Sequence, residues 1–232
     1  MKIQNKNILV NSVFSKVHKK YDVMNDLMSF GIHRLWKKNL IDRINPQKNE
    51  NVIDVASGTG DLAILFNKRL NGQVSINCVE PNNNMLLVGK NKLKHFKNIH
   101  WNLASAEKLP FKNESFDIYT ISFGLRNVGN INKSLKEANR VLKTGGRFFC
   151  LEFSKIENEF LNSIYSTYSK LIPKLGKYIV GSSQPYDYLI NSINSFYNQD
   201  DLLKIIKNNG FEEVEYNNLS NGIVAIHSGW KI

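Results

Sequence analysis

No apolar run in this chain approaches the roughly 20 residues that a membrane-spanning helix requires. No secretory core stands near the N-terminus, because charged and amide residues break up MKIQNKNILVNSVF. There are only 2 cysteines, Cys78 and Cys150. Both fall inside stretches that read as strands, so buried thiols of a reducing cytoplasm are expected. No Cys/His cluster has zinc-site spacing, no cysteine stands where a nucleophile would, and no metal ligand set is predicted. No five basic residues follow one another, although the net charge is +11. The lysines are scattered among asparagines, which makes the charge only a weak pointer to phosphates, whether of nucleic acid or of an anionic membrane surface. Internal repeats and low-complexity linkers are missing too. A chain of 232 residues, 42% of them hydrophobic, suits one α/β domain with a full core.

What is present centres on residues 51–63, NVIDVASGTGDLA. Val52, Ile53, Val55 and Ala56 read as a buried parallel strand, and Leu62, Ile64, Leu65 and Phe66 as the helix that follows. Between them, Gly58 and Gly60 would let a ligand lie against bare backbone at a helix N-terminus. Glu80 closes the next expected strand, 74–80, where a carboxylate can hold both hydroxyls of a ribose. Gly58-x-Gly60-x-x-Ala63 with an acid one strand later also satisfies the dinucleotide fingerprint. At this point a nicotinamide cofactor and S-adenosylmethionine both remain open.

The rest of the chain alternates regularly. Strands are expected at 51–56, 74–80, 98–104, 116–122 and 147–153, with helices at 60–70, 82–95 and 131–142 between them, giving a doubly wound parallel sheet. Before it, residues 9–45 are helical in pattern. Val10, Val13, Phe14, Val17 and Tyr21 form an apolar stripe. Met24, Leu27, Met28 and Trp36 fill a core or a lid over the crevice, and Asp22, Asn25, His33 and Arg34 face inward or pair. After the sheet's fifth strand, residues 156–195 carry a wide apolar stripe from Phe160 to Leu175 beside Lys155, Lys170, Lys174 and Lys177. That pattern suits a substrate roof, a membrane surface or plain packing on the sheet. A helix at 199–209 and a hairpin turning at Ser220-Asn221-Gly222 close the chain. An antiparallel hairpin on a parallel sheet points to the methyltransferase version of this fold rather than the dehydrogenase version. One domain over 1–232 is expected, with a lid at 9–45, a cofactor core at 51–153, an insertion at 156–195 and a C-terminal helix and hairpin at 199–232.

Read together, YDVMNDLMSFGIHRLWK (21–37), DVASGTGDLA (54–63), AEKLPF (106–111), TISFGLRNV (120–128), RVLKTGGRFFCLEFS (140–154), YDYLINSI (186–193) and NLSNGIVAIHSG (218–229) resemble the ubiquinone/menaquinone biosynthesis C-methyltransferases. The resemblance implies a class I, Rossmann-like methyltransferase fold, S-adenosylmethionine as donor, and a reduced polyprenyl quinone precursor as acceptor. Carried onto this chain, its cofactor contacts fall on Thr59, Glu80, Ser105, Ala106 and Ser122, alongside Gly58 and Gly60. Glu80 stands where the family usually has Asp, Ser105 where it has Asn, and Thr144 where it has Pro.

Methylating a ring carbon needs an ortho hydroxyl to lose its proton, so a donor group must hold the resulting oxyanion and something must take the proton. Arg126 and Asn127, just past the fourth strand, are the expected pair. Arginine cannot itself be an ordinary base at neutral pH. The alternative for Arg126 is a structural ion pair with a carboxylate such as Asp22 or Glu152. His33 and Tyr21 stand in reserve for proton handling. The Asn/Asp-Pro-Pro-aromatic loop of base-amine methyltransferases is replaced here by Ser122-Phe123-Gly124-Leu125, which speaks against a base-amine acceptor; no nucleic-acid partner is expected. Competing readings are an RNA methyltransferase, resting on charge alone, and a non-catalytic cofactor-binding scaffold of a quinone-biosynthesis assembly. The expected place is the cytoplasm of a bacterium, with peripheral contact at the inner face of its membrane.

Overall fold

The computed structural model of the chain describes residues 10, 12, 15, 26, 29, 31–156 and 184–232. Seven strands form one sheet: β1 (Asn51–Val55), β2 (Ser75–Glu80), β3 (Ile99–Leu103), β4 (Phe116–Ser122), β5 (Leu142–Phe153), β6 (Glu212–Leu219) and β7 (Val224–Trp230). Their order is β3-β2-β1-β4-β5-β7-β6. The first five are parallel, and β7 runs antiparallel to both β5 and β6. Continuous apolar runs make the central strands, since a parallel sheet is covered on both faces. Val52, Ile53, Ile118 and Ile121 have no exposed surface at all.

Six described helices complete the alternation: α1 (His33–Ile44), α2 (Asp61–Arg69), α3 (Asn83–Lys92), α4 (Ile131–Val141), α5 (Gln184–Asn194) and α6 (Gln199–Lys207). Asparagine begins three of them. Asn82, Asn130 and Asn198 each accept a hydrogen bond from a backbone N–H three residues on, satisfying a donor the helix cannot. Two separate apolar layers sandwich the sheet. Trp36, Leu40 and Ile44 of α1, Leu62 and Phe66 of α2, and Tyr186, Leu189 and Ile193 of α5 pack on one face. Leu135, Ala138 and Val141 of α4, with Leu202 and Ile206 of α6, pack on the other.

Among the described residues the expected strand-and-helix order forms, and the largest shift is in β5. β5 starts at Leu142 rather than at 147, and its pairing jumps from Phe116↔Leu142 to Ile118↔Arg147. The extra residues make a bulge around Gly145, at φ 78°, which is tied to the C-terminal end by Gly145 N–H to Lys231 O at 2.7 Å and Lys231 N–H to Gly146 O at 3.0 Å. The hairpin forms as expected, its turn a short 3-10 segment, Ser220–Gly222.

Of the N-terminal stretch, α1 belongs to the core: Trp36 packs on Phe153 and donates its indole N–H to Ser220 Oγ at 2.8 Å. His33 and Arg34 both pair with Asp26. The remainder of the proposed lid, including Val13, Phe14, Val17, Tyr21, Asp22, Met24, Asn25, Leu27 and Met28, lies outside the described residues, as does the stripe from Phe160 to Leu175. Cys78 and Cys150 are buried free thiols inside β2 and β5.

Candidate cofactor and acceptor cleft

β1 and β4 are neighbours, but the chain leaves them in opposite directions across the sheet, and a crevice opens at their carboxyl ends. Its walls are the end of β1 (Val55, Ala56, Gly58), the end of β2 (Glu80 to Asn82, with Met85), the segment 105–107 after β3, and Phe123, Gly124, Asn127 and Val128 after β4. Val10 also lines it, and Ser15 Oγ accepts from Asn82 Nδ2 at 3.0 Å beside it. The space enclosed, part of it open to solvent, is about 900 Å³.

Two turns shape the opening. Ala56 and Phe123, each just past its strand, take left-handed backbone at φ 53° and 54°. Such conformations cost a non-glycine residue about 1–3 kcal/mol and persist only where the surroundings enforce them. Around Phe123 they do. Its N–H donates to Leu151 O at 2.8 Å, and its carbonyl accepts from Arg126 Nη1 at 2.7 Å and from Asn127 Nδ2 at 3.3 Å. Gly124 follows because a Cβ there would stand 2.5 Å from the Ala56 Cβ, so the two turns touch back to back.

Glu80 is the acidic group that the end of β2 brings to the cleft. One carboxylate oxygen accepts from Gly58 N–H and the other from Asn82 N–H, both at 2.9 Å. Each oxygen keeps a further lone pair. Burial pushes its pKa up to about 7, against the pull of those two N–H donors. Deeper, Asp54 accepts from the Thr120 hydroxyl at 2.8 Å, and burial raises it to about 7 as well. Asp61, opening α2, behaves oppositely. Burial works against its charge, yet Lys37 at 2.8 Å and Lys92 at 3.0 Å outweigh that and hold its carboxyl well below the usual range.

The structure brings Gly58, Glu80, Ser105, Ala106 and Asn127 together on the cleft wall. Thr59, in the turn between β1 and α2, and Ser122, the last residue of β4, are not on the wall. Their hydroxyl oxygens are buried without a hydrogen-bond partner and do not open onto the cleft. Gly60 is not on the wall. It turns the chain into α2 at φ 85°, and a Cβ there would meet Leu93 Cδ1 at 2.6 Å, so its smallness serves helix packing.

Arg126 is where the alternative reading placed it. Its guanidinium bonds Glu152 at 2.7 Å rather than reaching into the cleft, and both side chains are buried, at 5% and 1% exposure. Its backbone N–H also reaches Glu152, and the cation sits 5.2 Å over the Phe153 ring. The expectation that Arg126 presents a charge to an acceptor is thereby corrected: a buried cation keeps its carboxylate partner because unpairing them costs several kcal/mol. His33 is likewise off the wall. Burial lowers its pKa despite the bond to Asp26.

Some participants carried no signal of their own. Glu107, in the AEKLPF segment, lines the cleft and accepts from Gly129 N–H at 2.7 Å. Asn82 lines the cleft, caps α3 and donates its backbone N–H to Glu80 at 2.9 Å. Tyr188, in YDYLINSI, donates to Asn127 Oδ1 at 2.9 Å across a long sequence gap that no local pattern reveals.

Three comparisons bear on this geometry. A model of the ubiE/COQ5 methyltransferase family matches residues 1–231. The chain is 52% identical over 239 aligned positions to a ubiquinone/menaquinone biosynthesis C-methyltransferase UbiE of Rickettsia bellii (strain OSU 85-389), covering 100% of this chain and 96% of the relative. It is 51% identical to the protein of the same name in Rickettsia prowazekii (strain Madrid E), over 97% and 93% of the two chains. Among solved structures it resembles a SAM-dependent methyltransferase of Thermotoga maritima, with TM-score 0.68, 20% identity and 95% and 99% coverage. A SAM-dependent methyltransferase of Aquifex aeolicus matches with TM-score 0.66 at 14% identity over 90% and 97%. At such identities these structures speak to the fold, a class I methyltransferase sheet.

Proposed function

The chain belongs to the ubiE/COQ5 methyltransferase family, and from that premise we propose that it C-methylates a reduced polyprenyl quinone precursor, with S-adenosylmethionine held in the β1/β4 crevice. The observation that carries the reading is Glu80: a carboxylate at the end of β2, fixed by two backbone N–H groups, with a free lone pair on each oxygen for two vicinal hydroxyls. The fit extends to both sides of it. Pro81, Met85, Ala106 and Val128 offer apolar surface to a flat base, and Ser105 stands beside them. Gly58 offers bare backbone to the ligand on the cleft wall.

When bound, the donor supplies a methyl group on a sulfonium for in-line displacement. The protein's part is to hold the two reactants aligned, which contributes up to about 7–11 kcal/mol to such reactions. Asn127 is the polar side chain of the post-β4 turn that faces the cleft, and its amide N–H can donate to the acceptor's ring oxygen as that oxygen gains charge. Arg126 acts on the acceptor only indirectly, by holding the Phe123 carbonyl and, through Glu152, the turn that carries Asn127.

A lipid acceptor and a net charge of +11 favour peripheral contact with an anionic membrane on the cytoplasmic side. Among the described residues no helix is long and apolar enough to cross one. The test is incubation of the full chain with methyl-labelled donor and either a demethylated naphthoquinol or a demethylated methoxy-benzoquinol carrying a short prenyl tail. Label is expected in the quinol. Label in RNA, or in no quinol of either class, overturns the reading.

A further inference from the structure

Asn127 has an amide whose orientation is decided by its two neighbours. Its nitrogen lies 3.3 Å from the Phe123 carbonyl, which can only accept, so the nitrogen must point there. That leaves Oδ1 toward the Tyr188 hydroxyl at 2.9 Å, and the tyrosine must therefore be the donor. The Phe123 contact is long, so the tyrosine is the stronger of the two restraints. Tyr188 is half-buried on α5, which packs against the 3-10 turn Leu125–Asn127, and it comes from outside the cofactor core. Burial raises its pKa above the ordinary tyrosine value, which keeps the hydroxyl protonated and able to donate.

We propose that Tyr188 is a positioning residue of the methyl-transfer step: its hydroxyl locks the Asn127 amide so that the second amide N–H faces the acceptor. The inference rests on the functional reading above and deepens it by coupling α5 to the acceptor side of the cleft. Tyr188 does not line the cleft and need not touch either reactant. With the hydroxyl removed, the amide keeps only its long bond to Phe123 and is free to turn its carbonyl toward the developing oxyanion, where it would repel.

The test uses Tyr188→Phe, which keeps the ring and its packing. Turnover with the demethylated quinol is expected to fall about tenfold, the weight of one hydrogen bond. Affinity for S-adenosylhomocysteine, the KM for the quinol and the melting temperature are expected to stay at wild-type values. Asn127→Ala should lower turnover at least as far, and adding Tyr188→Phe to it should change nothing further, because the two act as one unit. Unchanged turnover in Tyr188→Phe overturns the inference. So does a loss shared equally by turnover, donor affinity and melting temperature, and so does an additive double variant. A wild-type chain that methylates no quinol overturns the functional reading, and this inference with it; an active wild type separates the two.

Discussion

Glu80 is a carboxylate that burial half-neutralises near physiological pH. With its pKa near 7, the ligand-free protein carries it as a mixture of acid and anion. Two ribose hydroxyls that donate to it need the anion. Affinity for S-adenosylhomocysteine is therefore expected to rise as pH increases through about 7 and to level off above, read by calorimetry between about pH 6 and about pH 8.5. Glu80→Gln should lower affinity about 10- to 100-fold, the range for hydrogen bonds to a charged group, and flatten that pH dependence. An unchanged slope would assign it to another group. The places of Glu80, Gly58 and Asn127 on the cleft wall were legible in the sequence, because a strand-end acid, a glycine turn and a post-strand loop are all fixed by where neighbouring strands end. The direction of Arg126 was not. Both an acceptor-facing cation and an ion pair satisfied the sequence, and only the packing of β5 against the post-β4 turn put Glu152 at 2.7 Å.

Two strand-end turns, one after β1 and one after β4, behave as a single element. They are adjacent in the sheet, both adopt left-handed backbone outside glycine, and Gly124 is the contact between them. Gly124→Ala forces its new methyl against Ala56 and is expected to destabilise the fold by about 1–3 kcal/mol in urea unfolding while weakening donor binding. Gly145→Ala is the control. Nothing lies within 4 Å of a Cβ there, so it should cost only the strain of φ 78° and leave donor binding alone. Equal donor affinity in both variants would break the link between the turns and the crevice. The elements were largely readable from periodicity. The early start of β5 was not, because its bulge depends on hydrogen bonds to Lys231, near the far end of the chain.

For the molecule as a whole, a carboxylate sealed in the interior makes stability depend on pH. Asp54 accepts from the Thr120 hydroxyl, and its pKa is raised from 3.8 to about 7, chiefly by burial, with Asp61 and Glu80 adding to the shift and Thr120 and Lys37 opposing it. The native state therefore binds this proton more tightly than the unfolded chain does. The associated stability is fully present below about pH 4 and declines as pH rises through about 7. The ligand-free protein is expected to melt lower at about pH 8 than at about pH 6, and Asp54→Asn, which can still accept from Thr120, should reduce that difference. Thermal unfolding across the range reads both, and an Asp54→Asn profile parallel to wild type would assign the slope elsewhere.

Sequence alone determined the layered α/β sheet, the crevice at its carboxyl edge and the family, because alternating apolar runs, glycine turns and long shared strings are all properties of neighbouring residues. Tertiary structure decided which way the side chains of the acceptor side point. Arg126 turns away to Glu152, and Asn127 is set by Tyr188 from another helix. Those orientations arise from buried charge pairing and amide geometry between segments far apart in the chain, which come together only when the sheet is packed.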